Sequence, residues 1–190
     1  MYKIIALIGE AGCGKDTILQ DILKKLPSDF NEIISCTSRP IREGEVEGIN
    51  YYYFEDEDFL KKVRNNEMLE YTIFNDWYYG TSYDSLSKDK TNIGVFNPSG
   101  IRSLMYRDNV ELTVYRIMFS YKVRLLRQLN REDHPNVEEI IRRYNTDKKD
   151  FENLEFKYIN IQNETEHDLD LAAYAILTDF CHRADLDKNK

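Results

Sequence analysis

Residues 9–15, Gly-Glu-Ala-Gly-Cys-Gly-Lys, constrain this chain more than any other stretch of its 190 residues. They follow an apolar run, residues 2–8, and open a segment over 15–26 in which Ile18, Leu19, Ile22 and Leu23 recur at helical spacing. Strand, glycine turn and helix in that order predict a phosphate-binding loop. Glycine lets the backbone curl until several N–H groups face one point. The helix N-terminus adds partial positive charge, and Lys15 adds a mobile cation. The expected phosphate contacts are therefore Gly9, Gly12, Cys13, Gly14, Lys15, Asp16 and Thr17. An ordinary glycine-rich turn, the competing reading, leaves the complete spacing and the lysine unexplained. Asp16 departs from the pattern, because Ser or Thr usually offers magnesium a hydroxyl at that place. It reads equally as a carboxylate favoured by the helix dipole and as a metal ligand.

Downstream, strand and helix patterns alternate. Residues 32–36, 51–54, 93–97, 110–119 and 158–161 read as strands, and 59–65, 101–106, 122–130, 137–151 and 166–181 as helices. The stretch 68–81 is aromatic and β-branched, which predicts a partly β lobe over about residues 35–90 inserted into a core of about 1–34 and 91–190. The order predicts a single-domain, three-layer α/β fold: a mostly parallel sheet covered by helices on both sides. A net charge of −8 argues against a general grip on nucleic acid, since no pervasive basic field exists to displace counterions. Fourteen tyrosines suggest a polar cleft lined by flat, hydrogen-bonding rings. Cys13, Cys36 and Cys181 are odd in number and widely spaced, so neither a disulfide framework nor a zinc site is expected, and a reducing cytoplasm fits. No segment has the length of a membrane span or the layout of a cleavable signal.

A phosphate loop alone leaves ATPases, GTPases and kinases open. Residues 35–51 narrow the choice by gathering Arg39, Arg42 and Tyr51 around a glycine-bearing loop. Guanidinium forks match phosphate oxygens bidentately, and a Tyr hydroxyl can complete the cage. The run Ser35, Arg39, Arg42, Gly44, Glu45, Gly48, Tyr51 resembles the acceptor lobe of guanylate kinase at every fixed position of S-x-x-x-R-x-x-R-x-G-E-x-x-G-x-x-Y. The likeness continues through Asn65 to Tyr71 and at Tyr78-Tyr79-Gly80-Thr81, and covers about residues 3–162. It implies that Arg39, Arg42, Tyr51 and Tyr79 hold a GMP phosphate, while Ser35, Glu70 and Thr81 meet the guanine. The chemistry agrees. Guanine offers N1–H and N2–H₂ donors that a carboxylate such as Glu70 can accept, and a hydroxyl such as Thr81 can donate to O6. A solvated salt-bridge loop with Glu43, Glu45 and Glu47 is the plainer reading of the two arginines.

Arg124, Arg127 and Arg131, then Arg142 and Arg143, fall where the resemblance places a helical lid, about residues 124–145. Arg127, Arg131 and Arg142 are the expected catalytic cations beside Lys15 and Arg39, against the alternative of a charged helix face balanced by Glu138 and Glu139. Asn163 stands where the family touches adenine, and His134, His167 and His182 need no role. The clearest departure is Val95-Phe96-Asn97-Pro98-Ser99-Gly100, where guanylate kinases carry D-x-D. Val95 and Asn97 replace both carboxylates, Asn97 becomes a neutral contact to GMP, and Asp16 is left as the candidate Mg²⁺ ligand. The resemblance implies transfer of the γ-phosphoryl group of Mg²⁺-bound ATP to GMP or dGMP, by a monomer or homodimer. Two alternatives stay open: a non-catalytic peptide-binding module of the same fold, and a kinase of several deoxynucleotides.

Overall fold

The computed structural model describes residues 1–74, 76–130, 135–162 and 168–188, with side chains through Asp185. In chain order the elements are β1 (Tyr2–Ile8), α1 (Lys15–Lys25), β2 (Phe30–Glu32), β3 (Cys36–Thr37), β4 (Tyr52–Tyr53) and α2 (Asp56–Arg64). A hairpin of β5 (Met68–Phe74) and β6 (Trp77–Ser82) follows, then β7 (Thr91–Val95), α3 (Pro98–Met105) and β8 (Val110–Met118). The last elements are α4 (Tyr121–Leu129), α5 (Val137–Asp150), β9 (Ile159–Gln162) and α6 (Asp168–Lys188). They make two compact units, Met1–Ile5 with Ser28–Leu112, and Ala6–Pro27 with Thr113–Lys190.

One sheet runs in the order β2-β7-β1-β8-β9 and is parallel where β2 meets β7 and β8 meets β9. Ile4, Ile5, Ala6, Leu7 and Ile8 are all buried, an unbroken apolar run of the kind that suits a strand covered on both faces. The second sheet, β4-β3-β6-β5, lies within the first unit and is antiparallel except between β3 and β4. Phe59 of α2 seals it, stacking on Tyr78 at 5.3 Å beside Cys36 and Met68.

Several expected elements differ: the helix expected over 101–106 begins at Pro98, the one expected over 166–181 is Asp168–Lys188, and two others change more tellingly. The strand expected over 32–36 is two strands in two sheets: Phe30 pairs with Thr91, and Cys36 pairs with Gly80. Between them the Ile33 N–H donates to the Ile93 carbonyl, while the Ser35 carbonyl accepts from Tyr52 in the other sheet. A short apolar run has no periodicity that tells one strand from two, so the switch is invisible until the partners are known. The helix expected from residue 59 begins at Asp56, because Asp56, Glu57 and Asp58 all favour its positive N-terminal end. It ends at Arg64, and Asn66 then turns the chain with φ of 57°.

Side-chain caps fix the helices that border the candidate sites. Asn97 Oδ1 accepts from the Gly100 N–H at 2.7 Å, with Pro98 in the first turn of α3. Ser120 caps α4 and Asn136 caps α5 in the same manner. Among the described residues no helix is long and apolar enough to cross a membrane.

Candidate functional site

The glycine loop curls because two of its residues take backbone angles that side chains resist: φ is 81° at Gly12 and 91° at Gly14. Space enforces the same choice, since a Cβ on Gly12 would lie 2.8 Å from the Arg124 carbonyl oxygen. Lys15 folds into the curl, donating through Nζ to the Gly9 carbonyl at 2.7 Å and the Glu10 carbonyl at 3.3 Å. Cys13 is buried beneath it. Asp16 and Thr17 follow on the exposed first turn of α1.

Cations surround this loop. Arg124 and Gln128 of α4 each donate to the Ala11 carbonyl at 3.4 Å, and Arg127 donates to the Gly12 carbonyl at 3.5 Å. Arg127 lies over the Phe119 ring at 4.1 Å, and Arg116 is 3.6 Å from the Glu10 carboxylate. Arg124 is only 2% exposed. Among the described residues three buried side-chain nitrogens have no hydrogen-bond partner: Arg116 Nε, Arg124 Nε and Arg127 Nη2. Burying such a donor unmet costs on the order of 1–3 kcal/mol, and more when it is charged. All three belong to guanidinium groups on the same loop's surround, which is the electrostatic signature of a site for a polyanion. Asp147 is a counter-charge there, accepting from the Ala11 N–H at 2.6 Å.

Arg142 and Arg143 are disposed differently. Arg142 meets Glu139 through Nε at 2.6 Å and Nη2 at 2.9 Å, and Arg143 Nε meets the same carboxylate at 2.8 Å. Hydrogen bonds from Arg142 lead the influences that bring the Glu139 carboxyl down to about 2. Arg131, His134, Asn163 and His167 lie outside the described residues.

In the first unit, Arg39 is 4% exposed and donates to Glu45 Oε1 at 2.8 Å and to the Pro40 carbonyl at 2.7 Å. Glu45 Oε2 accepts from the Arg42 N–H and from the Tyr53 hydroxyl, each at 2.8 Å. Burial pushes the Glu45 carboxyl up, but these bonds, Arg39 first, bring it down to about 2. Burial and the same carboxylate push the Tyr53 hydroxyl up to about 12. Tyr51 lies 5.6 Å from the Arg39 guanidinium and 6.1 Å from the Tyr79 ring, so the structure brings Arg39, Tyr51 and Tyr79 together. The Arg42 side chain is exposed beside them in sequence. Ser35 ends the segment between the two sheets, its carbonyl bound to the Tyr52 N–H.

Glu70 and Thr81 meet across β5 and β6, where they are paired in register. Glu70 is 5% exposed and Thr81 fully buried, and the Thr81 hydroxyl donates to Glu70 Oε1 at 2.8 Å. That hydrogen bond revises one expectation: the Thr81 proton is directed at Glu70, so a ligand would meet the hydroxyl's lone pairs. Burial, opposed only in part by the bonds from Thr81, pushes the Glu70 carboxyl up to about 7. Asn97 joins the pair, because a Cβ on Gly100 would lie 3.2 Å from Glu70 Oε2 and 3.3 Å from Asn97 Oδ1.

Glu45, Tyr53, Gln128 and Asp147 escaped sequence reasoning. Glu45 was legible only as one of three acids near two arginines, and Tyr53 as one aromatic in a run of them. Asp147 carried no signal, since its partner is 136 residues away. Among the described residues no group of three or more His, Cys, Asp or Glu side chains is placed to hold a metal ion. Hard oxygen donors at Asp16 and Thr17 instead fit a magnesium ion that arrives on nucleotide phosphates and keeps water as its other ligands.

A parallel-sheet frame, a glycine loop with its lysine and a ring of unmet guanidinium donors define a P-loop nucleotide-binding protein. The sequence model described as guanylate kinase matches residues 1–179, and the chain belongs to that family of ATP-dependent nucleoside monophosphate kinases. It is 28% identical over 169 residues to the guanylate kinase of Helicobacter hepaticus, covering 86% of this chain and 76% of that protein. Against the guanylate kinase of Bacillus cereus the identity is 39% over 85 residues, 45% of this chain and 42% of that protein. The crystal structure of guanylate kinase from Anaplasma phagocytophilum shares the fold, with a TM-score of 0.66, 20% identity and coverage of 96% of this chain and 86% of that one.

Proposed function

We propose that the chain transfers the γ-phosphoryl group of ATP to the phosphate of GMP or dGMP, with no covalent intermediate on the protein. The observation that carries the acceptor assignment is Glu70, a carboxylate 5% exposed whose Oε1 is held by Thr81. Guanine presents two adjacent donors to such a group, whereas the adenine edge would leave it unpaired. Discrimination by an unmet buried group is strong, on the order of 10⁴ in analogous sites. Thr81 fixes the carboxylate, and Asn97, beside it at Gly100, offers an amide to the same base. Arg39, aimed by Glu45, would bind the acceptor phosphate together with Arg42, Tyr51 and Tyr79, while Ser35 completes the base contacts.

On the donor side, loop N–H groups and Lys15 bind the polyphosphate, and Arg124 and Arg127 offer donors that the protein leaves unmet. Charge moving from attacking oxygen to leaving oxygen is then stabilised by groups already in place. Magnesium would be held by Asp16, Thr17 and the phosphates, and would supply charge neutralisation there. In this reading residues 35–90 act as the acceptor lobe and about 124–145 as the lid, Arg142 exchanging Glu139 for phosphate. A cytoplasmic monomer or homodimer completes the proposal, supported by three free cysteines among the described residues.

Steady-state assays with ATP and Mg²⁺ against GMP, dGMP, AMP, UMP and dTMP test it. Guanine nucleotides should be preferred by at least about 100-fold, and Glu70→Ala should erase that preference. Equal use of AMP overturns the acceptor assignment, and no ATP consumption with any acceptor favours a binding module.

A further inference from the structure

A carboxylate of the protein itself reaches the glycine loop. Ala11, third residue of the loop, donates its N–H to Asp147 Oδ2 at 2.6 Å. Asp147 is half-buried in the last turns of α5. Arg124 and Gln128 hold the carbonyl of the same residue. Burial, the largest influence, raises the Asp147 carboxyl from its ordinary value, opposed by the Ala11 hydrogen bond and by Lys15 and Arg124, while Glu10 repels it. A carboxylate oxygen at this distance from a loop N–H has the charge, and makes the hydrogen bond, that a phosphate oxygen would.

We propose that Asp147 sets the affinity of the donor site: its carboxylate competes with nucleotide phosphates for the Ala11 N–H, and a polyphosphate enters by displacing it. The inference rests on the donor reading above. One N–H at 2.6 Å cannot serve two anions, and a carboxylate left beside the phosphates would repel them across a poorly screened distance. Displacement also releases Lys15 and Arg124, which the carboxylate partly neutralises, to the incoming phosphates. In the empty protein Asp147 keeps a loop N–H and a cationic cluster satisfied, so stability and donor affinity are set against each other at one side chain.

Calorimetric titration of the whole chain with ADP, and separately with inorganic pyrophosphate, decides the matter for wild type, Asp147→Ala, Asp147→Asn and the exposed-site control Asp150→Asn. A charge-assisted hydrogen bond removed from the competitor should lower both dissociation constants roughly tenfold to hundredfold in Asp147→Ala. Asp147→Asn, still an acceptor but neutral, should fall between it and wild type. Asp150→Asn should stay within about twofold of wild type, because an exposed charge is screened. The nucleotide-free Tm of Asp147→Ala should drop while its ligand-induced rise in Tm grows, a pairing that a purely structural role does not produce. Unchanged or weaker ADP binding in Asp147→Ala overturns the competition. Absence of ADP and pyrophosphate binding by wild type and all variants overturns the donor reading itself. Should Asp147→Ala not fold, Asp147→Asn carries the same test, with tighter binding expected and unchanged binding fatal.

Discussion

Arg39 and Arg124 are almost equally buried, at 4% and 2% exposure, yet they are treated in opposite ways. Arg39 is held by Glu45 and the Pro40 carbonyl, and Glu45 is in turn held by Tyr53. Among the described residues Arg124 and Arg116 each keep a buried Nε with no partner around the same loop, and Arg127 a buried Nη2. A paired cation is aimed before its ligand arrives and must share itself afterwards. An unpaired one carries a desolvation cost that an anion relieves on binding, so it contributes affinity. The first unit thus holds its buried arginine in position, and the second leaves donors around its glycine loop for attraction.

The largest expected effect tests attraction. Lys15→Met should lower turnover by about 1000-fold or more, roughly 4 kcal/mol of transition-state stabilisation, with the unfolding curve little changed. Activity within tenfold of wild type would leave the loop without its assigned role.

Position is tested by Glu45→Gln, which leaves a buried guanidinium without its counter-charge and should cost about 3 kcal/mol in urea unfolding. Because the Glu45 carboxyl sits near 2 in the folded protein, below its ordinary value, its contribution is present above about pH 4.5 and fades as pH falls toward 2. The variant should lack that acid-limb dependence.

Glu70 has the opposite sign. Its carboxyl is raised to about 7, so the folded state binds the proton more tightly, and stability is highest below about pH 4.5 and falls as pH rises through 7. A raised value of this size corresponds to on the order of 3 kcal/mol across that range. Guanine donors need the ionised form, so GMP affinity should rise about tenfold between pH 6 and 8 in wild type relative to Glu70→Gln. A parallel pH profile in the two proteins would remove Glu70 from base recognition.

The smallest effect separates arginines within one unit. Arg142 is half-exposed and closed on Glu139, so Arg142→Ala should change stability by less than about 1 kcal/mol. Its loss in kcat/KM for ATP should also be smaller than that of Arg127→Ala, whose guanidinium has a nitrogen without a partner among the described residues. The reverse order would show that Arg142 leaves Glu139 during the reaction.

Much of this was legible before any fold was known, and the reason is locality. The loop over residues 9–15 declares itself because its steric demands fall on neighbouring residues: Gly12 and Gly14 take left-handed angles that a side chain resists. The strand Tyr2–Ile8 and the helix beginning at Lys15 also rest on short-range pattern, whereas the register that sets Glu70 opposite Thr81 came from the structure. Other features depend on what the chain meets far away. The run at 32–36 divides between two sheets because Ile93 and Tyr52 claim its backbone from different directions. Glu45 becomes the clamp on Arg39, rather than a solvated acid, only when Tyr53 closes on its other oxygen. The unmet guanidinium nitrogens and the Asp147 bond to Ala11 exist only once α4 and α5 have packed against the loop. Sequence by itself determined where the backbone could curl around an anion and which residue types could recognise guanine. Tertiary structure decided which charges are paired and which are left wanting a partner, because burial and the distance between groups remote in sequence are set only by packing.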